Sequence, residues 1–358
     1  VTDLARSLPA GLPRDEVEET AATIGGAQQP DGLIPWFPGG HADPWNHVEA
    51  AMALSAAGQL GAAERAYGWL ARSQRDDGAW HAYYRSDGSV EEARIDTNAT
   101  AYVATGAWHH YLSGADLGFL EALWPVVERA VGFVLAHQRP GGEVCWSVEP
   151  SGAPAGFALL AASSSVYGSL VAAVACARTL GRDWPAAERA AERLRSAIIG
   201  RPWAFAPKDE FAMDWYYPVL AGAVEGAAAS RRLEAGREAF VHEGRGVRCR
   251  SDGRWVTTAE TAEYALACLR LGWVGEAEVL LGWLADQRQE DGSYTTGLVY
   301  PERSEFPAGE RTTYSAAAVV LAADALAGGA ATATVFGGRE IRGPAGRARA
   351  RPRAAGRR

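Results

Sequence analysis

A short phrase recurs along the chain and limits the folds open to it. RAYGWLARSQ-RDDGAW at 65–80 returns as RAVGFVLAHQ-RPGGEVCW at 129–146, as VLLGWLADQ-RQEDGSY at 279–294 and, truncated, as AQQ-PDGLIPW at 27–36. Each copy joins a helical pattern to a Gly-containing turn and an aromatic residue through a Gln. A unit repeated at such intervals implies one supersecondary element used several times. Gln74 and Gln138 are expected to tie a helix end to the turn that follows, with Trp80 and Trp146 packed beside them.

Segments with helical periodicity alternate between two kinds. Six are amphipathic, near 13–29, 61–74, 118–138, 185–199, 230–241 and 275–287. The six between them, near 44–58, 97–113, 165–181, 215–229, 258–271 and 312–327, are rich in Ala and Gly and apolar nearly all round. A helix without a polar face has to be enclosed. The alternation predicts an all-α fold of six hairpins closed into a ring, an (α/α)6 toroid or barrel, with the amphipathic helices outside and the apolar ones lining the axis. One toroid domain over 1–327 follows, and 328–358 reads as a disordered Arg-rich tail.

Charge and cysteine usage narrow the function classes. The last twenty residues carry eight Arg and one Glu, so the rest of the chain is more acidic than the total of −8. An acidic folded part argues against a nucleic-acid groove. Cys145, Cys176, Cys249 and Cys268 are widely spaced without a CxxC pair, which predicts reduced thiols and a cytoplasmic setting. The first residues have no apolar core of a signal peptide. The uncharged run 156–177 is long enough for a membrane span, but SSS interrupts it, so a loop followed by a buried helix is expected instead.

The Gln-turn-Gly-aromatic phrases resemble the QW-type repeats of terpenoid cyclase and prenyltransferase toroids. The hairpin alternation is equally similar to the six-hairpin glycosidases. PWFPGGHADPWNHVEAAMAL, DTNATAYVATGAWHHYL, MDWYYPVL and ERTTYSAAAVVLAADAL resemble actinobacterial proteins generally labelled prenyltransferase, over roughly 15–327. These resemblances imply the toroid. Fold alone does not fix the chemistry.

A polar, aromatic stretch precedes each inner helix, and parallel inner helices gather the six stretches at one mouth. The candidate catalytic carboxylates there are Asp43, Asp96, Asp214, Glu260 and Glu310; Trp45, Asn46, His47, Asn98, Tyr167, Trp215 and Tyr216 are candidate substrate contacts. Paired carboxylates among aromatic walls suit glycosidic-bond chemistry, one as acid and one as base or nucleophile. The competing reading is capping: Asp43 precedes Pro44, and Thr257 with Glu260 fits a capping box. His109 and His110 lie a full helix beyond Asp96 and are expected to be structural. No cofactor and no metal site is expected.

The function expected from these residues is a carbohydrate-active enzyme acting on a small-molecule oligosaccharide or glycoconjugate. An isoprenoid-handling cyclase or prenyltransferase is the alternative. Against it, the Asp-x-Asp-Asp acid of protonation-driven cyclases is reduced here to RIDTN, with a single Asp. A toroid that only binds a sugar or a protein is the third reading. Asp214, followed directly by three aromatics, is the leading candidate for a general base.

Overall fold

The computed structural model describes residues 12–337. Twelve helices alternate in six hairpins: α1 (Arg14–Ala27), α2 (Pro44–Ala56), α3 (Leu60–Ser73), α4 (Thr97–Leu112), α5 (Leu117–Ala136), α6 (Leu160–Thr179), α7 (Pro185–Gly200), α8 (Ala212–Leu220), α9 (Gly226–Phe240), α10 (Thr258–Arg270), α11 (Val274–Trp283) and α12 (Thr313–Leu326). The even-numbered helices pack each against the next, and α12 returns to α2, closing an inner ring. The odd-numbered helices cover it from outside. Inner helices such as α2 and α12 are buried along nearly their whole length, as their Ala-rich composition requires.

The repeated phrase closes this ring. Gln74 Nε2 donates to Gly78 O in its own turn at 2.8 Å and to Val126 O in the next outer helix, α5, at 2.9 Å. Gln138 does the same one hairpin later, to Gly142 O at 2.8 Å and Ala190 O of α7 at 2.9 Å. Gln28 repeats it on Gly32 O and Ala62 O of α3. An Arg from the following outer helix donates to each Gln oxygen: Arg65, Arg129 and Arg193. The turn glycines Gly78 and Gly142 have positive φ and lie against the carbonyls of Arg129 and Arg193, where a side chain has no room. Trp80 is buried beside its helix end and donates to Leu70 O at 3.1 Å. Trp146 departs from expectation: it is half-buried and stacks on Phe157 instead.

Two segments differ from the sequence reading. The expected inner helix at 215–229 is two elements: α8 ends at Leu220, Gly222 turns the chain at φ +77°, and the Ala-rich run beyond it opens the outer helix α9. The stretch after Ala327 is not all tail. Helix α13 (Ala330–Val335) packs on α4 and α12 at the end of the barrel away from the mouth. There Thr332 is buried, donates to Asp324 Oδ2 at 2.6 Å and lies 2.9 Å from His109 Nε2. Small side chains let this short helix sit close, a pattern that composition alone reads as low-complexity sequence. Residues 338–358 lie outside the described ones. The uncharged run at 156–177 contains most of α6, which is long and apolar enough to cross a membrane but forms an inner wall of the ring with Ser163, Ser164, Ser165 and Ser169 buried.

Short antiparallel strands fill the loops that lead into the inner helices. β1 (Tyr83–Tyr84) pairs with β2 (Val90–Glu92), and β3 (Ile95–Asp96) with β4 (Ser147–Val148). β5 (Val241–His242), β6 (Gly246–Arg248), β7 (Trp255–Thr257), β8 (Gly297–Val299) and β9 (Ser304–Glu305) form one sheet in sequence order.

Candidate active site at the barrel mouth

The N-termini of the inner helices carry unpaired N–H groups and positive dipole ends, so acidic caps are physically favoured at this mouth. Asp43 caps α2: its Oδ1 accepts from Trp45 N and Asn46 N, both at 2.9 Å. Its Oδ2 accepts from Trp36 Nε1 and Asn46 Nδ2, both at 2.6 Å. Burial outweighs these four donors and leaves its carboxyl above the ordinary aspartate range. Asp96 caps α4 through Asn98 N and Ala99 N with Oδ1 alone. Burial raises it as well; those N–H groups and Arg94 pull it down, and the Asp43 charge adds to the rise. Asn98 follows in the first turn, with a buried Oδ1 that has no partner among the described residues.

Across the mouth, Thr257 caps α10, its Oγ1 accepting from Glu260 N at 3.3 Å and donating to Glu260 Oε2. Burial raises this carboxyl too, and Cys249 beside it partly offsets the rise. Glu310 precedes α12 and accepts from Thr296 Oγ1 at 3.3 Å. Tyr314 stands between these walls, because α12 packs between α2 and α10. Its hydroxyl is raised by burial and by the charges of Glu260, Glu310 and Asp43 together. Trp36 meets Tyr314 edge-on at 5.1 Å and His41 at 4.4 Å, and Tyr83 closes the group at 6.0 Å. Asp43, Asp96, Glu260 and Glu310 are therefore gathered around an aromatic wall.

Beneath them lies a layer that the sequence reading missed. Trp45 stacks on Tyr102 at 4.8 Å, forming the floor. Tyr102 donates to the buried Glu49 Oε2 at 2.6 Å and lies next to the Tyr217 hydroxyl. Tyr217 donates to Glu263 Oε1 at 3.4 Å, and Tyr216 to Glu263 Oε2. A phenol–carboxyl chain thus crosses the lumen from α2 to α10. Burial pushes Glu49 up to about 7, and Glu263 well above the glutamate range with help from the Glu49 and Glu260 charges. The sequence signal for both is an acid six residues past a helix cap, in NHVEAAMAL and TAETAEYAL, inside helices otherwise enclosed.

Other expected site residues lie elsewhere. Asp214 is buried, but its Oδ1 accepts from Ala161 N at 3.0 Å. It thereby caps α6, whose own N-cap, Leu159, has no side chain to do so. Its carboxyl is pushed up to about 6, by burial above all. Its aromatic neighbour Trp215 offers no platform to the mouth: it stacks on Phe240 at 5.3 Å and donates to Arg232 O of the outer helix α9 at 2.9 Å. Tyr216 is wholly buried on Glu263. His47 is enclosed: Ile34 N donates to its Nδ1 at 3.0 Å, its Nε2 lies 3.0 Å from Ala66 O, and burial lowers it to about 4. Tyr167 faces Arg195, Glu225 and Arg270, beyond the C-terminal end of α8. His109 and His110 are buried near the C-terminal end of α4, in contact with Thr332 and Ser55. Among the described residues no group of three or more His, Cys, Asp or Glu is placed to hold a metal.

No protein-family profile matches the chain. It is 46% identical over 324 residues, 90% of its length and 89% of the relative's, to MMP endo-(1,4)-3-O-methyl-alpha-D-mannosidase of Mycolicibacterium hassiacum. Among solved structures it superposes on a glycosidase variant in complex with glucose (TM-score 0.70, 18% identity, 88% of this chain and 96% of that one). A D-mannose isomerase (TM-score 0.65, 12% identity, 86% and 96%) and a cellobiose 2-epimerase from Spirochaeta thermophila (TM-score 0.63, 15% identity, 91% and 98%) share the fold. These similarities run to sugar-acting proteins, and the prenyltransferase and terpenoid-cyclase resemblance finds no support among them.

Proposed function

The chain belongs to the family of MMP endo-(1,4)-3-O-methyl-alpha-D-mannosidase and is a glycoside-acting enzyme of the six-hairpin type, and from that premise we propose that it hydrolyses α-(1,4) linkages within chains of 3-O-methylmannose. The observation that carries the residue assignment is the placement of Asp43 and Glu260 on the two helices flanking α12, both within electrostatic reach of Tyr314. Glu260, raised by burial, is the general acid and delivers its proton to the leaving glycosidic oxygen. Asp43 is the general base: its donors align it, while burial keeps it basic enough to take a proton from the attacking water. The glycosidic C–O bond breaks as the water oxygen bonds to the anomeric carbon, and the two carboxyls exchange roles as donor and acceptor. The Asp43 charge in turn helps to raise the Asp96 carboxyl beside it. Trp36, Tyr83 and Trp45 offer the sugar aromatic faces.

The test uses isosteric variants on an α-(1,4)-linked 3-O-methylmannose oligosaccharide. Asn caps a helix about as well as Asp, and Gln keeps an oxygen that accepts from Thr257 Oγ1, so folding is preserved. Asp43→Asn and Glu260→Gln should each lose ~100-fold or more in kcat, the scale of a missing acid or base. Asp214→Asn, still able to accept from Ala161 N, should keep wild-type turnover. Normal turnover in Glu260→Gln, or a dead Asp214→Asn that folds normally, would overturn the assignment.

A further inference from the structure

An enzyme that cuts inside a chain must hold sugars on both sides of the bond it breaks, and the mouth has two aromatic rims that the proposed catalytic group leaves unused. The first adjoins Asp96. Arg94 immediately precedes β3, two residues before Asp96, and its charge acts on the Asp96 carboxyl. The Arg94 guanidinium lies 4.6 Å over the Trp146 ring, and Trp146 stacks on Phe157 at 5.4 Å. Backbone bonds lock the pair in place: Thr97 N donates to Trp146 O, and Trp146 N to Phe157 O. Phe157 is nonetheless 40% exposed.

The second rim adjoins Glu260. In β7, Trp255 is two residues before Thr257, on the strand face from which Thr257 reaches Glu260. Gly297 on the neighbouring strand leaves room for the indole, where any side chain would meet Trp255 Nε1. That nitrogen donates to Phe306 O at 3.0 Å, and the Phe306 ring meets the indole edge-on at 5.3 Å. Phe306 is 53% exposed. Helices α4 and α10 are opposite members of the inner ring, three places apart either way round. A line from Phe157 to Phe306 therefore crosses the mouth.

We propose that Trp146–Phe157 and Trp255–Phe306 are two glycan-binding platforms, one for each side of the cleaved bond, whose ligand is a segment of an α-(1,4)-linked 3-O-methylmannose chain lying across the mouth. Large aromatics left exposed and fixed from behind favour the apolar faces of sugars, and methyl ethers in place of hydroxyls make those faces more apolar. The inference rests on the glycosidase reading above for its ligand class, but not on the roles given to Asp43 and Glu260.

The experiment combines binding and cleavage with Phe157→Ala and Phe306→Ala, both exposed enough to leave folding intact. A long α-(1,4)-linked 3-O-methylmannose oligomer is titrated calorimetrically into Glu260→Gln protein with and without each substitution. Each should weaken binding about tenfold, the scale of one lost aromatic contact. In otherwise wild-type enzyme, the two substitutions should shift product lengths in opposite directions. Unaltered affinity in both variants, or no binding of the oligomer at all, would overturn the platforms. Weakened binding without cleavage by the wild-type enzyme would leave the platforms standing and remove the hydrolase reading.

Discussion

At the level of single residues, the acids of this barrel divide by what surrounds them. Asp214 stands out in the sequence because three aromatics follow it, yet those rings are drawn away by the neighbours of α8, and its carboxyl serves the start of α6. Glu49 and Glu263 escape a reading that seeks the mouth at helix starts, because they stand a turn and a half deeper. Their burial makes a prediction about pH. Burial pushes the Glu49 carboxyl up to about 7, against 4.5 for the free side chain. A raised carboxyl adds stability that is complete below pH 4.5 and is lost as pH climbs through 7. Over that whole window the shift corresponds to about 3 kcal/mol. His47, His109 and His110, lowered to about 4, 3 and 4, act in the opposite sense, but only below their free value of 6.5. Between pH 6.5 and about 8 the acids act unopposed by these histidines, so Tm should fall across that interval, and Glu49→Gln should reduce the fall. An identical decline in the variant would show that Glu49 does not titrate there.

At the level of elements, the hairpin order is readable because outer and inner helices differ so plainly in composition. The Gln of the repeat is readable as a tie, but not its reach: Gln138 holds the next outer helix as well as its own turn. Gln138→Ala removes both bonds and leaves Arg193 without its acceptor. We expect a loss of roughly 1–2 kcal/mol in urea unfolding, the net worth of one to two such bonds, with kcat unchanged. Loss of activity at full stability would mean that the clasp shapes the site instead. Where helix and turn share one composition, as in 215–229, periodicity runs them together, and only the backbone at Gly222 separates them. The platforms are hidden for a related reason. Trp146 carries the position of a repeat aromatic, like Trp80, but the pairing of Asp96 with Ser147 turns it out to the rim.

At the level of the whole molecule, α13 alters the expected boundary. Ending the chain at Ala327 removes Thr332 and strands Asp324 and His109, both in contact with it. The buried His109 left unpaired costs about 1–3 kcal/mol, so such a truncation should lower Tm by several degrees, while ending at Gly337 should not. Equal melting of the two would return the boundary to 327. The helix also settles what kind of vessel the barrel is. With α13 across one end and the Glu49–Tyr102–Tyr217–Glu263 chain across the lumen, the ring is a cup and not a sleeve. If the enzyme cleaves a polymer, as proposed, that polymer cannot be threaded through a cup. It has to be laid over the brim and lifted off again, and both fragments leave by the side from which the chain arrived. Successive cuts then begin with fresh encounters, and the products of early digestion should be scattered along the polymer instead of trimmed in order from one end.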